Sequence, residues 1–314
     1  MATKNSQLRF SITLAPYDRW PSTADLFTMA QAAETMGYFG VHLPEHIISP
    51  IEPAPKLTHH LWYDNFVLAS FLASQTRNLR MIFYILVVPY RQPIPTAKAL
   101  ATLDLLSQGR VICGMGSGWL ESEFQQLAVP FEQRGEIMDE YIQAMRALWT
   151  EDKPAIKGRH VSFSGLLFTP KCYQRPHIRL WIGGQGVKPL RRVVRFGNGW
   201  APMSGSLAKA AENIRWIKEQ CVEAGRDPDG LDFATNIGFG EPDPVLEKQR
   251  QHVTGSSSSE RPRAFTPQAA IELIKEHQRA GFTHLGVTWN WGKPNDYVRR
   301  MELFAKEVMP AFAK

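Results

Sequence analysis

The sequence has little cysteine and no long apolar run. Its three cysteines, Cys113, Cys172 and Cys221, lie far apart and form no Cys-x-x-Cys pair, so neither a disulfide scaffold nor a cysteine-based zinc site is predicted. The longest strongly apolar run, Met81 to Val88, ends at Pro89 and is far shorter than the roughly 20 residues that cross a bilayer. The N-terminus also lacks a signal-peptide pattern. These absences predict a cytoplasmic protein with reduced thiols and no membrane partner.

The positively charged residues are spread along the chain and form no long tracts. The 36 Lys and Arg residues exceed the 30 Asp and Glu residues, which gives a formal net charge of +6. No basic tract is longer than a pair such as Arg191-Arg192 or Arg299-Arg300, so the sequence predicts no nucleic-acid partner. A mildly basic enzyme that acts on an anionic small molecule is compatible with this balance. The hydrophobic fraction of 44% suffices for a large core and excludes a disordered chain.

Short β-rich segments alternate with longer amphipathic segments, a pattern typical of a parallel sheet in an α/β fold. The predicted strands are Leu8–Leu14, Tyr38–Leu43, Leu79–Leu86, Val111–Met115, Leu180–Ile182, Gly199–Pro202, Leu231–Gly238 and His284–Trp289. Predicted helices include Thr23–Met36, Thr96–Ser107, Glu132–Trp149, Leu207–Ala224, Pro267–Ala280 and Asp296–Lys306. Four glycines follow helical segments, where a left-handed residue ends a helix at little steric cost. They are Gly37, Gly109, Gly225 and Gly281.

The repeated strand and helix units predict a (β/α)8 TIM barrel, in which one domain spans residues 1–314. A doubly wound open sheet is the alternative, but its Gly-x-Gly-x-x-Gly signal is missing after the first strand, where Ala15-Pro16-Tyr17-Asp18 stands. An insertion is predicted at about residues 155–178, between the fourth helix and the fifth strand. A second irregular stretch, at about residues 240–267, is serine-rich and is predicted to be a mobile loop, either a lid or a plain surface loop.

The second predicted strand ends in a pair of groups that can transfer protons. Glu45 and His46 follow Leu43-Pro44, so in a barrel they lie at the C-terminal mouth, where barrel enzymes have their active sites. An imidazole titrates near neutral pH, and an adjacent carboxylate can bias its protonation. The pair is therefore a candidate acid–base site, although a structural role for such a pair is equally compatible with the sequence.

Two glycine-rich segments follow the fourth and fifth strands. In Gly114-Met115-Gly116-Ser117-Gly118-Trp119, the glycines let a flat aromatic ligand or a phosphate approach the backbone closely. Gly183-Gly184-Gln185-Gly186 lies between the fifth strand and a helix with Pro189 near its first turn. Free backbone N–H groups and a helix N-terminus are suited to hold a phosphate there.

Metal-assisted hydrolysis and Schiff-base chemistry have no good candidates in this sequence. The first strand has no His-x-His pair, His59-His60 lies in a proline-rich loop, and no lysine lies within a predicted strand. No metal site is therefore predicted. A lyase or isomerase that holds a phosphorylated substrate through Gly183–Gly186 stays open at this point.

The segment from Ala97 to Glu123 carries the most specific pattern in the chain. Its order and spacing resemble the central signature of the luciferase-like flavin and deazaflavin oxidoreductases, the superfamily of bacterial luciferase. The matching runs are Ala97-Lys98, Ala101-Thr102-Leu103-Asp104, Leu106-Ser107-Gln108-Gly109-Arg110 and Gly114–Glu123. Supporting matches, between about residues 8 and 305, include Glu45-His46, Tyr90-Arg91-Gln92-Pro93, Leu148-Trp149-Thr150, Ile182-Gly183-Gly184 and Gly197-Asn198-Gly199-Trp200.

The resemblance implies a barrel with an insertion, usually a homodimer, that holds FMN or a deazaflavin coenzyme of the F-420 type at its C-terminal mouth. It implies a non-proline cis peptide bond near Tyr84-Ile85, where the cofactor ring is supported. It also implies that His46, beside Glu45, acts near the reactive ring. The other residues implied to bind the cofactor are Gly116, Ser117, Ile182, Gly183, Gly184 and Gln185.

The predicted function is an oxidoreductase whose reduced cofactor transfers hydride to, or mono-oxygenates, a small organic substrate. One alternative is an FMN-dependent monooxygenase supplied by a partner flavin or deazaflavin reductase, and another is a non-catalytic flavin-binding protein. Some deazaflavin dehydrogenases of sugar phosphates have a carboxylate where this sequence has Ser117, which disfavours sugar-phosphate oxidation unless Glu121 replaces it. In its basic net charge and its Gly-Ser-Gly-Trp loop, the sequence resembles the deazaflavin-dependent branch of the superfamily more than luciferase itself.

Overall fold

The computed structural model describes residues 7–49, 61–203, 205–239, 266–289 and 294–313. Its main sheet is a closed barrel of eight parallel strands. In chain order they are β1 (Arg9–Thr13), β2 (Gly40–Leu43), β3 (Arg80–Val87), β4 (Val111–Gly116), β5 (Arg179–Gly183), β6 (Gly199–Ala201), β7 (Asp232–Phe239) and β8 (His284–Trp289). Each strand pairs with its neighbours in this order, and β8 pairs with β1. The predicted TIM barrel is therefore confirmed, and each predicted strand overlaps an observed one.

Helices follow the strands around the outside of the barrel. They are α1 (Thr23–Thr35), α2 (Asn65–Ser74), α3 (Pro93–Leu106), α4 (Glu121–Gln126), α5 (Arg134–Thr150), α6 (Val187–Phe196), α7 (Leu207–Glu223), α8 (Pro267–Arg279) and α9 (Pro294–Glu307). The four glycines predicted to end helices all have positive φ, between 69° and 103°. Among the described residues, no helix combines the length and the apolar character that crossing a bilayer requires.

The inside of the barrel is filled by side chains, so it forms a packed core. Inward-facing residues of β3, β4 and β5, namely Ile82, Tyr84, Ile112 and Trp181, are buried against one another. This explains why β3 reads as an uninterrupted apolar run, because its opposite face packs against the surrounding helices. Among the described residues, these side chains occupy the middle of the barrel, so a ligand that enters the barrel binds at one of its ends.

The predicted insertion contains a small hairpin outside the barrel. Ile156–Lys157 and Ser162–Phe163 pair as a two-stranded antiparallel sheet, located between α5 and β5. Residues 240–265 of the predicted mobile loop lie outside the described residues. The assignment of residues 1–314 to one domain stays a prediction.

A polar network closes the N-terminal end of the barrel. Asp232, the first residue of β7, accepts hydrogen bonds from Arg179 Nε at 2.8 Å and from Trp181 Nε1 at 2.9 Å. His284, the first residue of β8, lies 3.9 Å from the same carboxylate, and its Nε2 atom accepts from Arg9 Nη1 at 3.2 Å. Burial lowers the pKa of His284 to about 3, so this imidazole is neutral and packs as part of the core.

Because His284 is neutral in the folded protein, we expect the free energy of unfolding to fall in acid. Its pKa is about 3 in the folded protein against an ordinary value of 6.5, so between these values only the unfolded chain takes up the proton. Unfolding is favoured as the pH falls through this window, by about 1.4 kcal/mol per pH unit. From pH 7 to pH 5, the free energy of urea unfolding should therefore fall by about 2 kcal/mol less in His284→Gln than in the wild type. Equal falls in the two proteins would contradict a buried neutral imidazole.

Candidate active site

Three loops meet at the C-terminal mouth of the barrel. The loop after β2 carries Glu45 and His46, the chain after β3 forms a 3-10 turn over Val88–Tyr90, and the loop after β4 leads into α4. Because parallel strands end on the same side of the sheet, residues from distant parts of the sequence come together here.

His46 contacts a buried carboxylate that lies 77 residues further along the chain. Its Nδ1 atom is 3.1 Å from Oε2 of Glu123 in the first turn of α4. The same oxygen accepts a 2.7 Å hydrogen bond from the Tyr90 hydroxyl. The other oxygen, Oε1, accepts from the backbone N–H groups of Ile47 at 2.5 Å and Ile48 at 3.2 Å. Glu123 is fully buried, so these four contacts replace the water that a carboxylate otherwise binds.

These contacts keep Glu123 ionised. Burial raises the pKa of this carboxyl, but the hydrogen bonds that it accepts, first among them the one from His46, outweigh burial and hold the pKa below its ordinary value. An ionised carboxylate only accepts hydrogen bonds, so Nδ1 of His46 carries the hydrogen that faces Glu123. Nε2 is then the atom of His46 that can exchange a proton with a ligand.

Two tryptophans flank the imidazole of His46. The ring centroid of Trp62 lies 4.7 Å away, and that of Trp119 lies 6.1 Å away in an edge-to-face arrangement. The side chain of His46 is 12% exposed. These aromatic walls reduce the access of water to the imidazole and offer surfaces on which a flat ligand can stack.

Glu45, which is adjacent to His46 in sequence, contacts different partners. Its buried carboxylate binds the guanidinium of Arg91 and accepts a 2.6 Å hydrogen bond from the backbone N–H of Val87. Burial raises the pKa of Glu45 to about 7, against the opposing effect of Arg91. The contact expected of Glu45 is thus made by Glu123, and Glu45 holds the chain after β2 to the chain after β3.

The end of β3 forms a surface with few β-carbons. The Tyr84–Ile85 peptide bond is cis, which confirms the position implied by the resemblance. The side chain of Ile85 lies against three glycines, since a Cβ on Gly114, Gly116 or Gly183 would lie 3.1, 2.9 or 2.9 Å from its atoms. Side chains at these three positions would displace Ile85, so the glycines are required for this packing. We call the surface of Ile85 and these three glycines the glycine shelf.

A buried histidine lies next to the glycine shelf. The ring of His42 stacks on that of Tyr84, with centroids 4.2 Å apart and planes within 4° of parallel. Its Nδ1 atom is 3.0 Å from Oδ1 of Asn236. Burial lowers the pKa of His42 to about 3, so the ring is neutral and Nδ1–H donates to the amide oxygen. The sequence analysis missed this pair, for which the available signal was a polar residue inside an apolar strand.

The second glycine-rich segment leads into the N-terminus of α6. Gly184 and Gly186 have φ values of 99° and 85°, and Gly186 is the N-cap residue, with no side-chain cap on the helix. The carbonyl of Gly184 accepts a 2.9 Å hydrogen bond from Trp200 Nε1, which fixes the turn. Ile182 is buried in β5, and Gln185 is exposed. The uncapped N–H groups of α6 are suited to an anion, as the sequence predicts.

The loop after β4 and the first turn of α6 line one cleft. Gly116 belongs to the glycine shelf, and the next residue, Ser117, lines the cleft with Pro189 of α6 and Arg134 at the start of α5. The structure therefore brings the two predicted glycine-rich segments together along one side of the mouth.

Among the described residues, the cysteines and the other potential metal ligands form no metal-binding cluster. Cys113, Cys172 and Cys221 are buried free thiols. Within the part of the chain that the structure describes, no group of three or more His, Cys, Asp or Glu side chains is placed to hold a metal ion.

Comparison with known proteins identifies relatives of this chain. The model of the luciferase-like monooxygenase family matches residues 8–239. The FMNH2-dependent dimethylsulfone monooxygenase of Pseudomonas putida is 30% identical over 268 residues, which cover 84% of this chain and 69% of that protein.

Solved structures share the fold at lower sequence identity. The monooxygenase RslO1 of Streptomyces bottropensis superposes with a TM-score of 0.83 at 20% identity, covering 98% of this chain and 100% of that one. An F-420-dependent secondary alcohol dehydrogenase, in complex with an F-420–acetone adduct, superposes with a TM-score of 0.78 at 18% identity and covers 98% of this chain and 100% of its own. With the family model matching most of its length, the chain belongs to the luciferase-like monooxygenase family.

Proposed function

We propose that the chain is an oxidoreductase that binds FMN or a deazaflavin coenzyme of the F-420 type at the barrel mouth and uses it on a small organic substrate. The observation that carries the proposal is the contact between His46 Nδ1 and the ionised carboxylate of Glu123. It orients an imidazole for proton transfer, which the reduction or oxygenation of an organic substrate requires. Family membership supports the cofactor class, since the relatives named above depend on FMNH2 or F-420.

The residues at the mouth fit a flat ring system that carries a phosphate. Ile85, which packs on the three glycines of the shelf, is partly exposed and offers an apolar side chain against which a planar ring can pack. The uncapped N-terminus of α6 offers backbone N–H groups to the phosphate. The residues that we assign to the cofactor are Tyr84, Ile85, Gly116, Ser117, Ile182, Gly183, Gly184 and Gln185.

In this proposal the protein provides orientation and the proton. Once bound, the cofactor supplies the redox chemistry, either hydride transfer or oxygen activation. His46 gives a proton to the substrate, or takes one from it, at Nε2, while Glu123 holds the ring at Nδ1. Glu45 fixes the loop that carries His46 through its contacts with Arg91 and Val87.

One relative favours monooxygenation as a second, more specific candidate. The dimethylsulfone monooxygenase that is 30% identical to this chain depends on FMNH2. An enzyme of that kind requires a partner reductase that delivers reduced FMN. Consumption of O2 separates the two candidates, because hydride transfer from a deazaflavin uses no oxygen.

Titration with FMN and, separately, with the F-420 coenzyme tests the proposed function through the quenching of tryptophan fluorescence. Trp62 and Trp119 lie 4.7 and 6.1 Å from His46, so a ring bound at the mouth should quench them, and Trp119→Phe should lose part of the effect. Tighter binding of FMN would favour the monooxygenase, and tighter binding of F-420 would favour hydride transfer. Binding of neither would overturn the proposal. Binding of a reduced cofactor with no substrate-dependent oxidation, beyond its spontaneous reaction with O2, would indicate the non-catalytic alternative.

The homodimer and the cytoplasmic location implied above stay predictions. Val67 and Phe71, one turn apart on α2, are 70% and 48% exposed, and neighbouring exposed apolar side chains support a partner surface on this helix. Sedimentation velocity tests the homodimer, since a wild-type monomer at micromolar concentration would contradict it.

A further inference from the structure

A cleft of about 620 Å³ runs beside α6, next to the phosphate end of the proposed cofactor site. Its lining includes Ser117 after β4 and Pro189 in the first turn of α6, and it extends to Phe196, the last residue of that helix. A helix of this length spans about 15 Å at 1.5 Å per residue. The cleft is therefore much longer than a single phosphate group.

Positive charge dominates the lining of this cleft. Arg192 is neutralised by Asp139, whose carboxylate lies 2.6 Å from its Nε atom. Lys188 and Arg191 are exposed and have no hydrogen-bond or ionic partner among the described residues. The five basic lining residues are Arg134, Lys188, Arg191, Arg192 and Arg195, and the three acidic ones are Glu132, Glu136 and Asp139.

Three of these cations form a row along α6. Lys188, Arg191 and Arg195 follow one another at intervals of three and four residues, so their side chains share one helix face. Arg195 donates to the amide oxygen of Gln143 at 3.1 Å, which leaves its charge uncompensated. Like charges at this spacing repel one another, and an anion laid along the row removes that cost. The row begins at the helix N-terminus, where we propose the phosphate, and leads away from it.

We propose that this row binds an extended polyanion, namely the chain of carboxylates that a deazaflavin coenzyme of the F-420 type carries beyond its phosphate. The inference rests on the proposed function, because the tail follows α6 only if the phosphate lies at the start of that helix. The row spans about 10 Å by the helix rise, which suits a short oligoglutamate better than one phosphate. FMN ends at its phosphate and leaves the row without a ligand, so the row selects the deazaflavin coenzyme over FMN.

Three ligands test this inference on the intact protein: FMN, the F-420 coenzyme with its glutamate tail, and the same coenzyme without glutamates. The tail should tighten binding about tenfold at low salt and less at high salt, because salt screens exposed charges. Arg191→Glu/Arg195→Glu should lose this advantage, while its affinity for the coenzyme without glutamates should change less than about threefold. A matched control is Lys153→Glu/Lys157→Glu, which changes the net charge equally at two exposed residues outside the cleft and should retain the advantage.

Two results would overturn the inference. The first is equal affinity for the coenzyme with and without its tail. The second is a loss of FMN affinity in Arg191→Glu/Arg195→Glu as large as the loss for the tailed coenzyme. The variant would then weaken the binding of every anionic ligand through the electrostatic potential of the protein, and not through a contact with the tail. If no cofactor binds, the proposed function fails, and calorimetry with free γ-linked triglutamate tests the row alone. Binding of triglutamate to the wild type but not to Arg191→Glu/Arg195→Glu would support a polyanion site along the row. Absence of triglutamate binding to the wild type would overturn it.

Discussion

Replacing His46 with Ala is expected to lower kcat by about 10² to 10⁴-fold, the usual contribution of a positioned acid–base group. The imidazole is held at Nδ1 by Glu123 and is flanked by Trp62 and Trp119, so its removal leaves the proton transfer to water. The Kd of the cofactor should change little, because His46 belongs neither to the glycine shelf nor to the α6 terminus. Steady-state turnover and a fluorescence titration of the same sample measure the two quantities.

His160→Ala is a matched control for that experiment. His160 lies in the turn of the small hairpin outside the barrel, and its side chain, like that of His46, is 12% exposed. Its removal should leave kcat unchanged. Unchanged turnover in His46→Ala would exclude His46 from the mechanism, whereas a large loss of cofactor affinity would assign it to binding.

Glu123→Ala is expected to lower the free energy of unfolding by about 3–5 kcal/mol, as the removal of one partner from a buried charged contact does. The substitution leaves the Tyr90 hydroxyl and the backbone N–H groups of Ile47 and Ile48 without their acceptor. Urea unfolding at pH 7 measures the loss. Glu123→Gln should lose less, because its amide oxygen still accepts hydrogen bonds.

Two comparisons separate the structural role of Glu123 from its role at His46. Glu121→Ala, an exposed position two residues earlier in α4, should change stability by no more than about 0.5 kcal/mol. If Glu123 acts through the imidazole, Glu123→Gln should lower kcat in the wild type but not further in His46→Ala. Additive losses in the double variant would show that Glu123 acts independently of His46.

The barrel could be predicted because its determinants are local in the sequence. β3 is an uninterrupted apolar run because one face fills the barrel and the other packs against helices. Helix ends could be predicted because their determinants are local too. Gly37 and Gly281 adopt a positive φ that other residues rarely adopt. The alternation of such elements leaves few topologies open.

The partner of His46 could not be predicted in the same way. Its contact with Glu123 spans 77 residues and depends on how α4 packs against the loop after β2. The neighbouring Glu45 was the more obvious carboxylate, but it turns to Arg91. The sequence carries one signal, the position of Glu123 directly before the apolar Phe124. The structure shows that both side chains are buried, and a buried carboxylate requires donors from another part of the chain.

The glycine shelf has a consequence for directed evolution of this mouth. A Cβ at position 183 would meet the Cδ1 atom of Ile85 at 2.9 Å, whereas one at position 116 would meet its Cγ2 atom at the same distance. Ile85→Val removes Cδ1 and leaves a Cβ at 183 with Cγ1 at 3.2 Å and the Met115 carbonyl oxygen at 3.4 Å, so a library that varies positions 85 and 183 together should recover alanine at 183 beside valine at 85. Alanine at 116 would still meet Cγ2, so a library that varies positions 85 and 116 should recover it only beside a residue smaller than valine. Alanine at 114 would still collide with the carbonyl oxygen of Phe83 at 2.4 Å. Single-site libraries will therefore report all three glycines as fixed, although positions 116 and 183 are fixed mainly by the side chain of Ile85.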